Sequence, residues 1–362
     1  MTIGKVTFAH GGFSKFGGSE RLAADLLGAL DALQVRTELI CWSGSGSNES
    51  PLLRELSKSR TQISRTTWRW GCRWGWPDRV MLLRQWERFA SAELLIFGKL
   101  FDTSVHRRLI SLKKRMILIT PYRPAEMWKD GGPGHAILNS FQSIIVQARA
   151  FERDLREFGY EGEIFILPLP PPEVNEPNAW PASRSIQIGY LGRLVREKNL
   201  EYLIRSFSCL REMGVAAQLH VFGDGPERER LQSFCGGMRL SRQIQFHGGL
   251  LRSSIPAAID RCHLFAFSST TEGQCLAALE ILARGRRVLG TSVGAFPEFL
   301  SGVLGSVGPL DSPPAFAAAL KTLAEPVLKG AITPADVQGA YTIRFPRRQV
   351  INEYLRILDV PT

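Results

Sequence analysis

No stretch of this 362-residue chain stays apolar for the ~18 residues that a membrane-spanning helix needs, so no spanning helix is expected. Cysteine is sparse. The six cysteines, at 41, 72, 209, 235, 262 and 275, form no Cys-x-x-Cys pair. That spacing argues against a disulfide framework or a zinc site, and for reduced structural thiols. The six histidines make no ligand-spaced cluster and no Asp-x-Asp pair occurs, so no metal is expected. The opening run MTIGKVTFAHGG has neither the charged start nor the cleavage site of a signal peptide, and a cytoplasmic protein is the expectation. Internal repeats at solenoid periods and low-complexity tracts are missing too. Gly12 and Gly17 have the G-x4-G spacing of a P-loop, but Gly18 stands where that loop has its lysine. Nucleoside triphosphate hydrolysis is therefore not expected.

What is present is a globular composition, 44% hydrophobic and 22% charged, long enough for two domains. The net charge is +11, and residues 54–123 hold 16 Lys/Arg against 5 Asp/Glu. Such a segment suits nucleic acid, anionic lipid or phosphorylated substrates, and equally a solvated basic face. Strand-like runs (KVTFAH, RTELICW, ELLIFG, RMILIT, SIIVQA) alternate with helical stretches in the first half. The rhythm returns in the second half with SIQIGYLG, AQLHVFG, IQFHG, LFAFSS and RRVLGTS. Alternation of this kind predicts an α/β protein with parallel sheets covered on both faces. Between the halves, LPLPPPEVNEPNAWPASRS carries six prolines and reads as a linker. The expected division is a Rossmann-like domain over 1–170, a linker over 171–185, a second Rossmann-like domain over 186–345, and a helix over 346–362 that packs back toward the first domain. The two domains are expected to face each other across a cleft.

Two stretches carry candidate chemistry. In GYLGRLVREKN a strand ends at Gly192, and Arg193 and Lys198 follow. Two cations at a strand's carboxyl end, beside a helix start, suit a diphosphate, although a surface Arg and Lys read the same way. In STTEGQCLAALEILARG a strand ends, Glu272 sits in the loop, and Gly273, Gln274, Cys275 and Leu276 open a helix that contains Glu280. Amides at a helix opening suit an anion, and a carboxylate inside the helix suits ribose hydroxyls.

Taken in order, these pieces resemble the retaining GT-B glycosyltransferases of the large group-four class (glycosyl transferases group 1). The matching pieces are the Gly17-Gly18-Ser19-Glu20-Arg21 loop, GRLVREKN, FGDGPERERL, the Glu-x7-Glu module and TSVGAFPEFL with Gly294 and Glu298. The resemblance implies a GT-B fold and transfer of a sugar from a nucleoside diphosphate sugar, with no further cofactor. It implies that Arg193 and Lys198 bind the diphosphate and Glu280 the ribose. Glu272 and the amides of Gly273 to Leu276 would hold the sugar and its phosphate, and Gly17 and Gly18 would let their loop approach the donor. Glu272, Arg193 and Lys198 are the catalytic candidates. The acceptor would be a glycan or lipid-linked glycan of cell-surface polysaccharide, lipopolysaccharide or polyprenyl type.

The chain departs from the family's pattern after RMILIT, where PYRPAEMW gives Tyr122 and Arg123 instead of a histidine. Those two residues and His10, at the end of the first strand, are the candidate acceptor or sugar contacts. WRWGCRWGW holds four of the eight tryptophans inside the basic segment, which suits a bilayer interface, an aromatic sugar wall or a packed loop. Contact with the cytoplasmic membrane face is one expectation from it. Two rivals stay open: a nucleotide-sugar epimerase, which calls for clustered acids and bases, and a non-catalytic basic protein that binds nucleic acid or phosphoglycan.

Overall fold

The structure, a computed structural model, describes residues 5–12, 18–44, 56–68, 80, 82–98, 103–120, 123–124, 135–175, 177–183 and 185–360. Gly17, Tyr122 and all of the Trp-rich run beyond Trp68 lie outside the described residues. The chain divides into two compact units, Met1–Pro170 with Arg348–Thr362, and Pro171–Arg347.

In the first unit the strands are β1 (Lys5–Gly12), β2 (Arg36–Gly44), β3 (Gln62–Trp68), β4 (Leu94–Phe97), β5 (Arg115–Ile119), β6 (Ser143–Val146) and β7 (Glu163–Ile166). They form one sheet in the order β3-β2-β1-β4-β5-β6-β7, every pairing parallel. Among the described residues its helices are α1 (Gly18–Ala32), α2 (Trp86–Ser91), α3 (Thr103–Ile110), α4 (His135–Leu138) and α5 (Arg149–Glu157). β4 and β6 are buried at every position, as LLIF and SIIV demand when helices cover both faces of a parallel sheet. The order reverses between β1 and β4, and His10 sits at that reversal, only 4% exposed. Its ring explains Gly98: a Cβ there would stand 2.6 Å from His10 Cδ2.

The second unit repeats the plan with β8 (Ile186–Leu191), β9 (Ala217–Phe222), β10 (Ile244–Gly248), β11 (Leu264–Ala266), β12 (Arg287–Thr291) and β13 (Gly305–Gly308). The sheet order is β10-β9-β8-β11-β12-β13, again parallel throughout. Helices α6 (Leu200–Glu212), α7 (Arg228–Gly237), α8 (Ile255–Asp260), α9 (Leu276–Ala283), α10 (Phe296–Phe299), α11 (Pro313–Leu328) and α12 (Pro334–Arg344) connect and cover it. Local chemistry sets the last of these: Pro334 occupies the first turn, and Thr333 and Asp336 form a reciprocal capping box. A final helix, α13 (Arg347–Ile357), runs into the residues that cluster with the first unit. There Tyr354 is fully buried, and Arg115 donates to the Ile357 carbonyl at 2.9 Å and to Asp359 at 2.5 Å.

The proline-rich segment is anchored to the second unit by a buried cation. Arg286 is 0% exposed, donates to the carbonyls of Asn178 and Ala179 at 3.0 and 2.9 Å, and lies 5.0 Å from the Trp180 ring centre. Trp180 in turn donates its indole N–H to the Ile332 carbonyl.

Across β8, β9 and β10 runs a chain of side chains whose tautomers are set by one another. Gln187 Nε2 donates to Ser183 and Ser185, which leaves Gln187 Oε1 to accept from His220 Nε2–H at 2.8 Å. His220 Nδ1 must then accept from His247 Nε2–H at 3.0 Å. Burial, His247 and Arg261 hold His220 down to about 4. Its folded value thus lies below the unfolded ~6.5, so the stability it confers is complete above that pH and lost as pH falls toward 4. The loss should reach about 2 kcal/mol by pH 5. Urea midpoints from pH 7 to 5 check this: His220→Asn should flatten the decline, and a decline of unchanged steepness would refute it.

Candidate functional site

Ligands of open α/β sheets sit beyond the strands' carboxyl ends, where the strand order reverses. In the second unit that reversal lies between β8 and β11, which pair through Ile188↔Leu264 and Gly189↔Phe265. The β8 loop carries Arg193 and Lys198, and the β11 loop carries Glu272. Topology therefore brings together residues far apart in sequence: Lys198 Nζ donates to Glu272 Oε1 at 2.8 Å.

The support around this pair is dense. Ser269 Oγ donates to the same Glu272 oxygen at 2.7 Å, and Thr291 Oγ1 donates to the Ser269 carbonyl at 2.6 Å. Ser268 Oγ donates to the carbonyls of Lys198 and Asn199, and the Thr270 amide to that of Glu197. The two loops are thus stitched to each other along their length. Both of these contacts to Glu272 use Oε1. Burial alone would lower the Lys198 pKa, but the Glu272 carboxylate, with Cys275, outweighs it and holds Lys198 above its ordinary value. Tyr190, beneath the β8 loop, donates to the Arg193 carbonyl at 2.8 Å, and burial followed by the Glu272 charge raises its phenol well above the usual range. Arg193 itself is exposed and lies 3.7 Å from Glu197.

Helix α9 opens beside these groups. Its N-cap, Cys275, takes a left-handed conformation with φ of 60°. A non-glycine residue there is strained, and such strain gathers at functional positions. Burial and then Glu272 keep the Cys275 thiol protonated far above its usual range, and the charges of Lys198 and Glu280 also reach it. The Gly273 carbonyl accepts from the Ala295 amide at 2.9 Å. Gly294 (φ 57°) permits that approach, since a Cβ on it would lie 2.3 Å from the Gly273 oxygen. The amides that open α9 precede the first helical hydrogen bond, as at any helix start. Gln274 is buried at 3% exposure. Glu280, further along the same helix, accepts from Arg252 at 3.0 Å.

Of the candidates named from sequence, Arg193, Lys198, Glu272, Gly273, Gln274, Cys275, Leu276 and Glu280 all belong to the second unit, and Lys198, Glu272 and Cys275 form its centre. Gly18 begins α1, and His10 ends up beside Gly98 at the other sheet's reversal. Arg123 makes a bidentate pair with Asp154 at 2.9 and 3.1 Å, on helix α5. Sequence reasoning did not find Ser269, Thr291, Tyr190 or Arg252. Ser269, the last residue of LFAFSS, carried a usable signal: a hydroxyl just past a strand's carboxyl end, three residues from an acid. Among the described residues no group of three or more His, Cys, Asp or Glu side chains stands close enough to hold a metal. No described helix is long and apolar enough to cross a membrane.

Known proteins resemble this chain in sequence over its second unit and in fold over nearly its whole length. Residues 185–325 match the family model "Glycosyl transferases group 1". The chain is 29% identical over 120 residues to a phosphatidylinositol N-acetylglucosaminyltransferase component of Arabidopsis thaliana, covering 33% of this chain and 27% of that protein. It is 28% identical over 135 residues to alpha-D-kanosaminyltransferase of Streptomyces kanamyceticus, covering 37% and 35%. The chain thus spans less than half the length of the curated relatives it matches. Its fold superposes on Anabaena HepE in complex with UDP, with a TM-score of 0.78 at 14% identity over 98% of this chain and 99% of that one. The lipopolysaccharide outer core galactosyltransferase WaaB gives 0.71 at 14% identity, over 97% and 99%. The chain accordingly has the GT-B fold, and residues 185–325 of its second unit are similar to glycosyl transferases group 1.

Proposed function

We propose that this chain moves a sugar, with retention at the anomeric carbon, from a nucleoside diphosphate sugar to a hydroxyl of a glycan or glycolipid. The observation that carries this reading is the Lys198–Glu272 pair at the β8/β11 reversal, beside Arg193 and the start of α9. Lys198, Arg193 and the α9 amides would neutralise the diphosphate as the bond from anomeric carbon to phosphate oxygen breaks. Glu272 Oε2 would take a sugar hydroxyl, and Glu280 the ribose. The acceptor oxygen bonds to the anomeric carbon from the same face, and its proton passes to the departing phosphate. The diphosphate's charge is then met by side chains and amides, with no divalent ion required.

We assign acceptor recognition to the first unit, with His10 and Arg123 as its described candidates, and the cytoplasmic membrane face as its setting. The described part of the basic segment supports this setting: Arg107 and Arg108 are exposed, Leu83 is 63% exposed, and Arg108 stands 5.0 Å from the Trp86 ring centre. Relatives named for glycolipid and lipopolysaccharide chemistry point the same way.

Thermal shift across UDP-, GDP- and ADP-sugars tests the donor, since a ligand at 100 times its Kd adds about 2.7 kcal/mol. At least one should raise the melting temperature, and NMR of the product should show the donor's anomeric configuration. Glu280→Ala is expected to weaken donor binding, while Arg193→Ala chiefly slows transfer. Salt-sensitive RNA binding with no response to any sugar nucleotide would overturn the reading, as would turnover that chelation abolishes and magnesium restores.

A further inference from the structure

Glu280 is not a bare carboxylate. Its Oε1 accepts from Arg252 at 3.0 Å, and its side chain is 19% exposed against 45% for Arg252. The remaining neighbours that its charge reaches, Cys275 and Tyr341, are a thiol and a phenol that both stay protonated. Among the described residues, Arg252 is therefore the cation that faces it within ion-pair distance.

The origin of that cation is informative. Arg252 begins the 3-10 turn Arg252–Ser254, just beyond the carboxyl end of β10, whereas α9 follows β11. In the sheet order, β9 and β8 lie between those two strands. The loop after β10 must reach along the sheet's carboxyl edge to place a guanidinium on Glu280. Gly248 (φ 79°) turns the chain out of β10, and Leu251, next to Arg252, is left 76% exposed on the way. A short loop that exposes a leucine while delivering an arginine to a half-buried acid is organised around that contact.

We propose that Arg252 is a positioning residue that makes Glu280 selective for a ribose over a deoxyribose in the donor nucleotide. This rests on the reading of Glu280 as the ribose acceptor. An ionised carboxylate accepts hydrogen bonds and donates none, which matches the two hydroxyls of a ribose and leaves it half-satisfied by a deoxyribose. Arg252 donates to one of the carboxylate's oxygens at 3.0 Å and fixes it, so the orientation that the hydroxyls meet is set before the nucleotide arrives.

Titration calorimetry with UDP and 2′-deoxy-UDP, or the GDP or ADP pair if those bind instead, tests it on wild type, Arg252→Gln and Arg252→Lys. Wild type is expected to prefer the ribonucleotide about tenfold, as one well-oriented charged hydrogen bond allows. Arg252→Gln should bind both nucleotides alike, and Arg252→Lys should keep part of the preference. In turnover, Arg252→Gln should raise KM for the donor and leave kcat unchanged. A full wild-type preference in Arg252→Gln overturns the inference, and so does a loss of affinity equal for both nucleotides, which a merely structural role would give. Wild type that binds none of the nucleoside diphosphates overturns the underlying donor reading instead.

Discussion

Lys198→Met is expected to cut turnover by about 10²–10³-fold, the usual cost of losing one pre-set group aimed at developing charge. It should also destabilise the second unit, because Glu272 is left buried with Ser269 as its sole described hydrogen-bond donor. Side-chain exposures of 19% for Lys198 and 7% for Glu272 put the pair in the partly buried class, where removing one partner costs about 3 kcal/mol. Replacing both charges separates the two effects. Lys198→Met with Glu272→Gln should regain most of the lost stability, since no charge remains unpaired, yet recover none of the turnover. Urea unfolding and initial rates on the two variants check this. If activity returned together with stability, the lysine would be a structural partner of Glu272 and nothing more.

Arg286→Met should lower the melting temperature of the second unit by roughly 6–12 °C, equivalent to about 3 kcal/mol in a unit of this size. The side chain is fully buried and satisfies the carbonyls of Asn178, Ala179 and Arg284. Methionine fills comparable space but donates nothing, so those carbonyls lose their partner in a dry environment. Asp260 keeps its pairing with Arg284, which limits the damage. Donor affinity, read at a temperature where the variant is folded, should stay at the wild-type level. A shift under about 2 °C would mean that water replaces the guanidinium at little cost.

Much of the architecture was legible because period and length are local properties. LLIF, SIIV and RVLGT announce strands buried on both faces, and the helical stretches between them force parallel pairing. Both sheets follow that rhythm. The strand order was not written in any single segment, and the site depends on it. Lys198 and Glu272 were each nameable from their loops, but their contact arises because β11 docks against β8 and not against β10. Arg252 was hidden for the same reason: a basic residue after GGLL looks like surface until the loop is seen to reach α9. Arg123 was nameable as a candidate contact from its loop, but its bidentate pairing with Asp154, on a helix later in the chain, was not. The strain at Cys275 had no sequence signal, since cysteine does not favour a left-handed backbone and only the packed loop imposes it.

The way Arg286 grips the proline-rich segment decides where the polypeptide can be cut. Residues 171–185 look dispensable by composition, and a recombinant fragment trimmed to Ile186 would seem tidy. Such a fragment would discard Trp180 and the carbonyls of Asn178 and Ala179, stranding a guanidinium in the interior. A version beginning at Pro171 and ending at Arg347 keeps every one of those partners and is the better starting point for isotope labelling or crystallisation of the second unit.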